Sequence, residues 1–389
     1  MRAIGRALPG SRIVPADWSG RDCRTLFVRY ERIGDMIMAT GIIRVLAGAL
    51  ASGKVDVLAN PTTAPVLYGS PYVGKVFTLD RKSAKSYAAV GRELRNERYD
   101  VVVDGRINNP AIFTSTPLLM LAARAPYRVG VGGGNNDLIY NVRVPAYDRA
   151  TPYIEGSKAL AVPFGVDVDA VDWRPEIFLA EAEVAGAERA WNAAAATATT
   201  TATTTAINTE ENEGKEGTEK AKALGTGTAT TGRDGRAGGG RLLVNLSASE
   251  PMRRWQDEKF IEVLLRVRAV APSLAIVIIG LPAEWGSVER VASVVRGLAV
   301  ATPALRDALA LVGRSDMVLT PDTSISHAAS AFQKPAVVLL KRDHHPYAPY
   351  DIPGEVVYWD GNEIHSLPSN SVAPAVERMV RMYGPAGMR

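Results

Sequence analysis

Short apolar runs alternate with amphipathic stretches along the first half of the chain. The apolar runs predict strands at 25–30, 54–59, 75–79 and 99–103. The stretches between them have helical spacing, most clearly at 35–50 and 84–98. Strands separated by helices of this length are typical of βαβ units in a parallel, doubly wound sheet. The first half is therefore predicted to be an α/β domain that binds ligands at the carboxyl ends of its strands.

The second half repeats this alternation. Predicted strands lie at 241–246, 274–280, 315–320 and 335–340. Predicted helices lie at 257–270, 287–298, 326–332 and 371–383. A length of 389 residues suits two such domains better than a single core. The predicted fold class is α/β, with two doubly wound parallel-sheet domains.

The segment between the two halves breaks the pattern. From 193 to 240 the chain is dominated by Ala, Thr and Gly with a patch of Glu and Lys, and it offers little apolar surface to bury. We predict an unstructured linker or insertion with some helix at its start. The predicted regions are an arm at 1–24, a first domain at 25–170, a connection at 171–192, the insertion at 193–240, a second domain at 241–370, and a C-terminal helix and tail at 371–389.

Composition narrows the classes of function. A net charge of +4 is too small to favour nucleic acid as a partner, but it is compatible with anionic phosphates or an anionic membrane surface. The single cysteine, Cys23, excludes an internal disulfide, and four histidines without metal-ligand spacing argue against a metal centre. No run reaches the roughly 18 apolar residues of a membrane span. We therefore expect a cytoplasmic protein.

The first candidate site is the turn from Arg29 to Asp35, between the first strand and the first helix. A strand end that leads into a helix start exposes backbone N–H groups, and Gly34 permits a tight turn there. Asp35 is the candidate catalytic residue. The alternative is that Asp35 only caps the helix, because Asp is a favoured N-cap that contributes about 1 kcal/mol.

A second candidate site follows the strand that opens the second half. Hydroxyl side chains and two arginines lie between Ser247 and Glu258, and this combination suits a diphosphate. The alternative is that the arginines are solvated and that Trp255 belongs to the core. If the protein binds a nucleotide, Trp285 in the loop from Gly280 to Gly286 offers a face to the base, and Glu284, or Glu289 beyond the loop, could accept from the ribose. Simple surface packing of Trp285 is the alternative.

A third candidate site lies at 319–329, where a strand ends and a helix begins. The backbone N–H groups of Thr323, Ser324 and Ile325 would face an anion at the N-terminus of that helix. The alternative is that Asp322 and Ser324 are only helix caps. His327 could then be an ordinary polar residue of the helix.

Together these motifs resemble glycosyltransferase family 9, the ADP-heptose:lipopolysaccharide heptosyltransferases. The residues RIGDMI at 32–37 match the Gly-Asp turn before an apolar helix, and RRW at 253–255 matches a Lys/Arg-x-Trp element. The residues DTSISHAA at 322–329 match a motif that begins Asp-Thr/Ser-Gly, and the expected QKPAVVL strand follows. The resemblance covers most of 25–385 apart from the insertion.

The resemblance implies a GT-B fold, in which two Rossmann-like domains face a cleft. It implies that Asp35 is the catalytic base and that Ser249 and Arg253 contact the donor diphosphate. The residues expected to meet the donor sugar and phosphates are Asp322, Thr323, Ser324 and His327.

The implied activity is metal-independent, inverting transfer of a sugar, with heptose favoured, and it belongs to lipopolysaccharide biosynthesis in the cell envelope. The implied donor is a nucleotide sugar, with an ADP-sugar favoured, and no other cofactor is expected. The implied acceptor is a lipopolysaccharide-type or other glycan or glycolipid, which would bring the protein to the inner face of the cytoplasmic membrane.

Three departures from the family pattern leave the sugar and the acceptor open. Ser324 stands in place of the usual Gly, Lys341 to His345 replace a Gly-rich turn, and Glu31 to Ile33 replace a Ser/Thr-rich segment. Two other functions therefore stay open. One is a sugar-nucleotide epimerase-like enzyme, and the other is a catalytically inactive protein that binds a nucleotide or carbohydrate.

Overall fold

The computed structural model describes residue 18 and residues 20–107, 115–148, 150–213, 240–248 and 250–384. The chain forms two compact units. The first contains the chain up to Leu179 together with Asp343–Asp351, and the second contains Ala180–Arg342 and the chain from Ile352 onward. The sequence pattern did not indicate that a short segment after 342 belongs to the first unit.

The first unit contains a six-stranded parallel sheet. Its strands are β1 (Thr25–Val28), β2 (Val55–Ala59), β3 (Val73–Thr78), β4 (Val101–Asp104), β5 (Tyr127–Val131) and β6 (Val142–Val144). The α-helices of its described residues are α1 (Ile33–Ala49), α2 (Ala84–Glu97), α3 (Ser115–Ala122) and α4 (Tyr153–Ser157). The strand order is β3-β2-β1-β4-β5-β6.

The second unit contains another six-stranded parallel sheet. Its strands are β7 (Arg241–Asn245), β8 (Ala275–Ile279), β9 (Leu298–Ala299), β10 (Met317–Pro321), β11 (Ala336–Lys341) and β12 (Gly354–Trp359). Its α-helices, within the described residues, are α5 (Glu181–Glu213), α6 (Asp257–Val270), α7 (Trp285–Val295), α8 (Leu305–Arg314), α9 (Ser324–Ala331) and α10 (Ser369–Tyr383). The strand order is β12-β11-β10-β7-β8-β9.

Both sheets have the Rossmann strand order, so the predicted fold class is confirmed. In each sheet the order reverses between the first and fourth strands, which are β1 and β4 in one and β7 and β10 in the other. Ligands of doubly wound folds bind at this reversal, outside the carboxyl ends of the strands. The loops after these four strands are therefore the ones that position a site.

The central strands are buried along their whole length, as parallel strands covered by helices on both faces must be. Every residue of β1, β4, β7 and β8 is buried. Such strands appear in sequence as continuous apolar runs, which is why the pattern located them. The short β6 and β9 were not predicted, because strands of two or three residues carry almost no pattern. The strands β5 and β12 and the helix α8 were also not predicted.

Helix α5 extends into the segment that was predicted to be an unstructured insertion. The helix that was expected at the start of this segment is present and continues to Glu213, and 214–239 lie outside the described residues. Ala187, Trp191, Ala194 and Ala198 are buried, and their spacing places them on one face of the helix. The Trp191 indole donates to the carbonyl of Leu311 at 3.3 Å. Alanine is a strong helix former, and the small alanine side chains on this face let α5 pack closely on the rest of the second unit.

Gly41 and Gly48 of α1 provide a matched pair for testing how tightly this helix packs. A methyl group added at Gly41 would lie 2.3 Å from the carbonyl oxygen of Trp173, whereas one added at Gly48 would have no neighbour within 4 Å. We expect Gly48→Ala to stabilise the protein by about 0.5–1 kcal/mol, because Ala loses less entropy in a helix. Gly41→Ala should destabilise it by about 1–3 kcal/mol. Urea unfolding of both variants measures the difference, and equal effects would contradict the close contact.

The ion pairs of Glu188 predict how stability depends on pH. Glu188 on α5 pairs with Arg241 at 2.8 Å and also with Arg314. The hydrogen bond from Arg241 is the main cause that lowers the pKa of Glu188 to about 2, from 4.5. Because the folded-state pKa is the lower one, the stabilisation is complete above pH 4.5 and is lost as the pH falls toward 2.

We therefore expect Glu188→Gln to lower the free energy of unfolding by about 1–3 kcal/mol at pH 7. The variant should also lose less stability than the wild type between pH 5 and pH 2. Urea unfolding across this pH range measures both effects. Glu93→Gln, at an exposed position of α2, is the control and should leave the pH profile unchanged. If the stability of the wild type and of Glu188→Gln changed in parallel with pH, the lowered pKa of Glu188 would be refuted.

Candidate active site

Asp35 lies in the first turn of α1, the helix that follows β1. The strand order of the first sheet reverses beside β1. The N-cap residue is Arg32, and no side chain caps this helix. The alternative role of Asp35 as a simple N-cap is therefore wrong, because α1 begins two residues before it. Its carboxylate Oδ1 lies 3.1 Å from Nη2 of Arg29, and its side chain is 16% exposed. Asp35 is thus an ion-paired carboxylate that a ligand can still reach.

Arg29 is the buried cation of this site. Its guanidinium lies 5.0 Å above the ring of Tyr153, and its Nε is 3.6 Å from Glu31. Burial by itself would lower the pKa of Arg29, but Tyr153, Asp35 and Glu31 together raise the pKa above its ordinary value. The positive charge beside Asp35 is therefore permanent. The sequence pattern placed Arg29 in the first candidate site but indicated no role for it, since an arginine at the end of an apolar strand has no distinctive pattern.

Tyr153 holds Arg29 in place from the other side. Its hydroxyl donates to the carbonyl of Gly105 at 2.8 Å, and the ring is buried. Burial raises the pKa of Tyr153, so the phenol stays neutral and its ring can face the cation. A side chain at Gly105 would overlap Phe27 at 2.4 Å, which fixes this turn close to β1.

A second buried carboxylate ends β4, on the other side of the strand reversal. Asp104 accepts from Nη2 of Arg106 at 2.5 Å and from the Tyr140 hydroxyl at 2.5 Å. Asp104 is 1% exposed, so both hydrogen bonds are needed to compensate for its burial. Sequence reasoning missed Asp104, whose only signal is a carboxylate directly after the predicted strand at 99–103.

Asn245 organises the corresponding reversal in the second unit. Its side-chain amide lies within hydrogen-bond distance of the hydroxyls of Thr320 (3.1 Å) and Thr323 (3.2 Å). It also donates to the carbonyl of Ser247 and accepts from the N–H of the same residue, both at 3.2 Å. Asn245 thereby ties the end of β7 to the loop after β10. Sequence reasoning missed Asn245, which lies inside an apolar strand pattern.

The predicted anion site lies at the start of α9. Thr323 is the N-cap, and its hydroxyl accepts from the N–H of Ile325 at 3.2 Å. Ser324 is the first residue of the helix, and His327 is buried within it. The predicted capping role therefore falls to Thr323 and not to Asp322 or Ser324. The N-terminus of a helix carries partial positive charge, which suits a phosphate.

Arg253 lies beside this helix start. Its Nη1 is 3.3 Å from Oδ2 of Asp322, and its Nε is 3.3 Å from Oε2 of Glu250. The structure thus brings together Arg253, Asp322 and Thr323, three of the residues predicted to meet the donor. Ser249, the other predicted diphosphate contact, lies outside the described residues.

The residues predicted to meet the nucleoside fall in different surroundings. Glu284 lies just beyond β8, where its carboxylate accepts from Ser247 at 2.5 Å and from Arg254 at 3.0 Å. Glu289 is exposed on α7, away from the strand end. Trp285 is partly buried and packs on the core of the second unit, and Trp255 is wholly buried there. Of the two glutamates, Glu284 is the one that contacts the loop after β7.

Among the described residues, no group of three or more His, Cys, Asp or Glu side chains could hold a metal ion. None of the helices in this part of the chain combines the length and the hydrophobicity of a membrane span.

Comparison with known proteins identifies the family. The family model described as "Glycosyltransferase family 9 (heptosyltransferase)" matches residues 87–351. No curated protein matches the chain in sequence.

Solved structures share the fold. A family 9 glycosyltransferase from Veillonella parvula has a TM-score of 0.68 at 14% identity and covers 95% of this chain and 99% of its own. The E. coli ADP-heptose lps heptosyltransferase II has a TM-score of 0.62 at 15% identity over 92% of this chain and 99% of its own. E. coli heptosyltransferase WaaC with ADP-2-deoxy-2-fluoro heptose has a TM-score of 0.64 at 16% identity over 91% of this chain and 99% of its own.

At these identities the solved structures establish a common two-domain fold. The family match, which spans well over half of the chain, establishes membership. This chain therefore belongs to glycosyltransferase family 9 and is a glycosyltransferase.

Proposed function

We propose that the protein is a metal-independent, inverting transferase that moves a sugar, with heptose favoured, from a nucleoside-diphosphate sugar to a glycan hydroxyl. The observation that carries the proposal is the arrangement at the second strand reversal. There Arg253 lies beside the start of α9, and Thr323 and Asn245 order the turn. A permanent cation next to a helix N-terminus offers both charge and N–H donors to a diphosphate.

The donor diphosphate would bind Arg253 and the first N–H groups of α9. In the structure Arg253 pairs with the carboxylates of Asp322 and Glu250, and a bound diphosphate would compete with both. The proposed sugar contacts are Asp322, Ser324 and His327, and Ser249 is proposed as a further phosphate contact. Because the arginine and the helix supply the charge stabilisation, the leaving group needs no metal ion.

The nucleoside would bind at the end of β8. Glu284 is the proposed ribose contact, since a carboxylate after the second strand of a doubly wound sheet accepts from ribose hydroxyls. Trp285 is proposed to border the base, with only the exposed part of its ring available. Adenine is the favoured base, and E. coli WaaC is a structurally similar protein that was solved with ADP.

Asp35 is the proposed catalytic base of the first unit. As the acceptor oxygen attacks the anomeric carbon, Asp35 takes its proton, and the bond from that carbon to the diphosphate oxygen breaks. A single displacement of this kind inverts the anomeric carbon. Arg29 supports the role because its guanidinium, 3.1 Å from Oδ1 of Asp35, holds the carboxylate in a fixed position.

The proposed acceptor is a lipopolysaccharide-type glycan or glycolipid. A lipid acceptor would place the reaction at the inner face of the cytoplasmic membrane. The net charge of +4 is compatible with contact with that anionic surface.

Nucleotide binding tests the donor site. ADP at 100 times its dissociation constant should stabilise the protein by about 2.7 kcal/mol, and Arg253→Ala should remove most of the shift. The measurement is a thermal-shift titration with ADP, UDP and GDP. Arg266→Ala removes an exposed arginine of α6 that pairs with Glu377, and it should leave the shift intact. No shift with any nucleotide would refute the donor proposal.

Replacement of Asp35 tests its proposed role as the catalytic base. We expect Asp35→Asn to lower the rate of transfer by about 10²–10⁴-fold while nucleotide binding persists. The assay is transfer from ADP-heptose to heptose-free lipopolysaccharide, with Asp80→Asn as an exposed control. An unchanged rate in Asp35→Asn would contradict its role as base. Epimer formation without any acceptor would instead favour an epimerase.

A further inference from the structure

Arg254 connects two carboxylates at the carboxyl edge of the second sheet. Its Nε donates to Oε1 of Glu284 at 3.0 Å, and its Nη2 donates to Oδ1 of Asp257 at 2.7 Å. Asp257 is buried at the start of α6, and Arg290 of α7 donates to its other oxygen at 2.7 Å. Asp257 is therefore a fixed anchor, and the guanidinium of Arg254 extends from it to Glu284.

Three donors hold the carboxylate of Glu284. Besides Arg254, the Ser247 hydroxyl donates to Oε2 at 2.5 Å, and the N–H of Leu281 donates to the same oxygen at 3.3 Å. A carboxylate offers about four lone-pair sites, so these three bonds leave capacity for one ligand hydroxyl. Glu284 is 17% exposed, which makes that capacity accessible.

The two adjacent arginines contact different carboxylates. Arg253 pairs with Asp322, which follows β10, whereas Arg254 pairs with Glu284, which follows β8. The first contact lies at the proposed phosphate site and the second at the proposed ribose site. Arg253 and Arg254 therefore have separate tasks, although both belong to one short motif.

We propose that Arg254 is a positioning residue that orients Glu284 toward the ribose of the nucleotide and thereby sets a preference for ribose over 2′-deoxyribose. The inference rests on the proposed function, in which the second unit binds a nucleoside diphosphate. Arg254 acts through Glu284. The geometry favours this role because Asp257 restrains the guanidinium on one side while Ser247 restrains the carboxylate on the other.

The test compares binding of ADP and 2′-deoxy-ADP by isothermal titration calorimetry. The wild type should bind ADP more tightly by on the order of 10- to 100-fold, as expected for a hydrogen bond to a charged group. Glu284→Gln and Arg254→Ala should each bring the ratio of the two affinities close to one, mainly by weakening the binding of ADP. Arg254→Lys retains a charge but cannot bridge two carboxylates with a rigid fork, so its ratio should be intermediate.

Arg266→Ala is the matched control. It removes an exposed arginine of α6 that pairs with Glu377 and leaves the contact between Arg254 and Glu284 in place, so its ratio should equal that of the wild type. If Arg254→Ala does not fold, Arg254→Lys carries the test, and an unchanged ratio in that variant overturns the inference.

Two results would overturn the proposal in distinguishable ways. If Arg254→Ala weakens the binding of ADP and of 2′-deoxy-ADP equally, Arg254 has only a structural role, and the proposed donor site stands. If the wild type binds none of ADP, UDP and GDP, the proposed function fails and the inference fails with it. Should UDP or GDP bind in place of ADP, the same comparison uses that nucleotide and its 2′-deoxy form.

Discussion

Strands such as β1 and β7 are buried on both faces, so they can carry almost no polar chemistry along their length. Polar groups are therefore confined to the strand ends, where the chain turns into a helix. The Rossmann order in both sheets concentrates these ends at the strand reversal. Asp35 and Asp104 follow this rule in the first unit, and Asn245 and Thr323 follow it in the second.

Charges at these ends are compensated in pairs, because a buried charge without a partner is costly. Arg29 is held between Asp35 and the ring of Tyr153, and Asp257 is held between Arg254 and Arg290. Such pairs fix the position of one partner and leave the other partly exposed. The exposed partner is then well oriented, which is what a base or a ligand contact requires.

The same reasoning separates residues that the sequence places side by side. Arg253 and Arg254 look equivalent in a basic motif, yet they contact carboxylates that follow different strands. Trp255, the next residue, is wholly buried and donates to the carbonyl of Leu367. Three consecutive residues thus reach toward the proposed phosphate site, the proposed ribose site and the core.

The sequence alone determined the two doubly wound domains, the helix starts that hold Asp35 and Thr323, and the resemblance to a glycosyltransferase family. These depend on local periodicity and short motifs, which a single chain displays directly. Only the tertiary structure decided the partners of Arg29, the central place of Asn245, and the packing of α5. Each depends on which buried groups meet across the fold, as when Asn245 contacts Thr323 across 78 residues of sequence. Local pattern contains no information about such pairings, because burial and hydrogen bonding are set only when distant segments pack together.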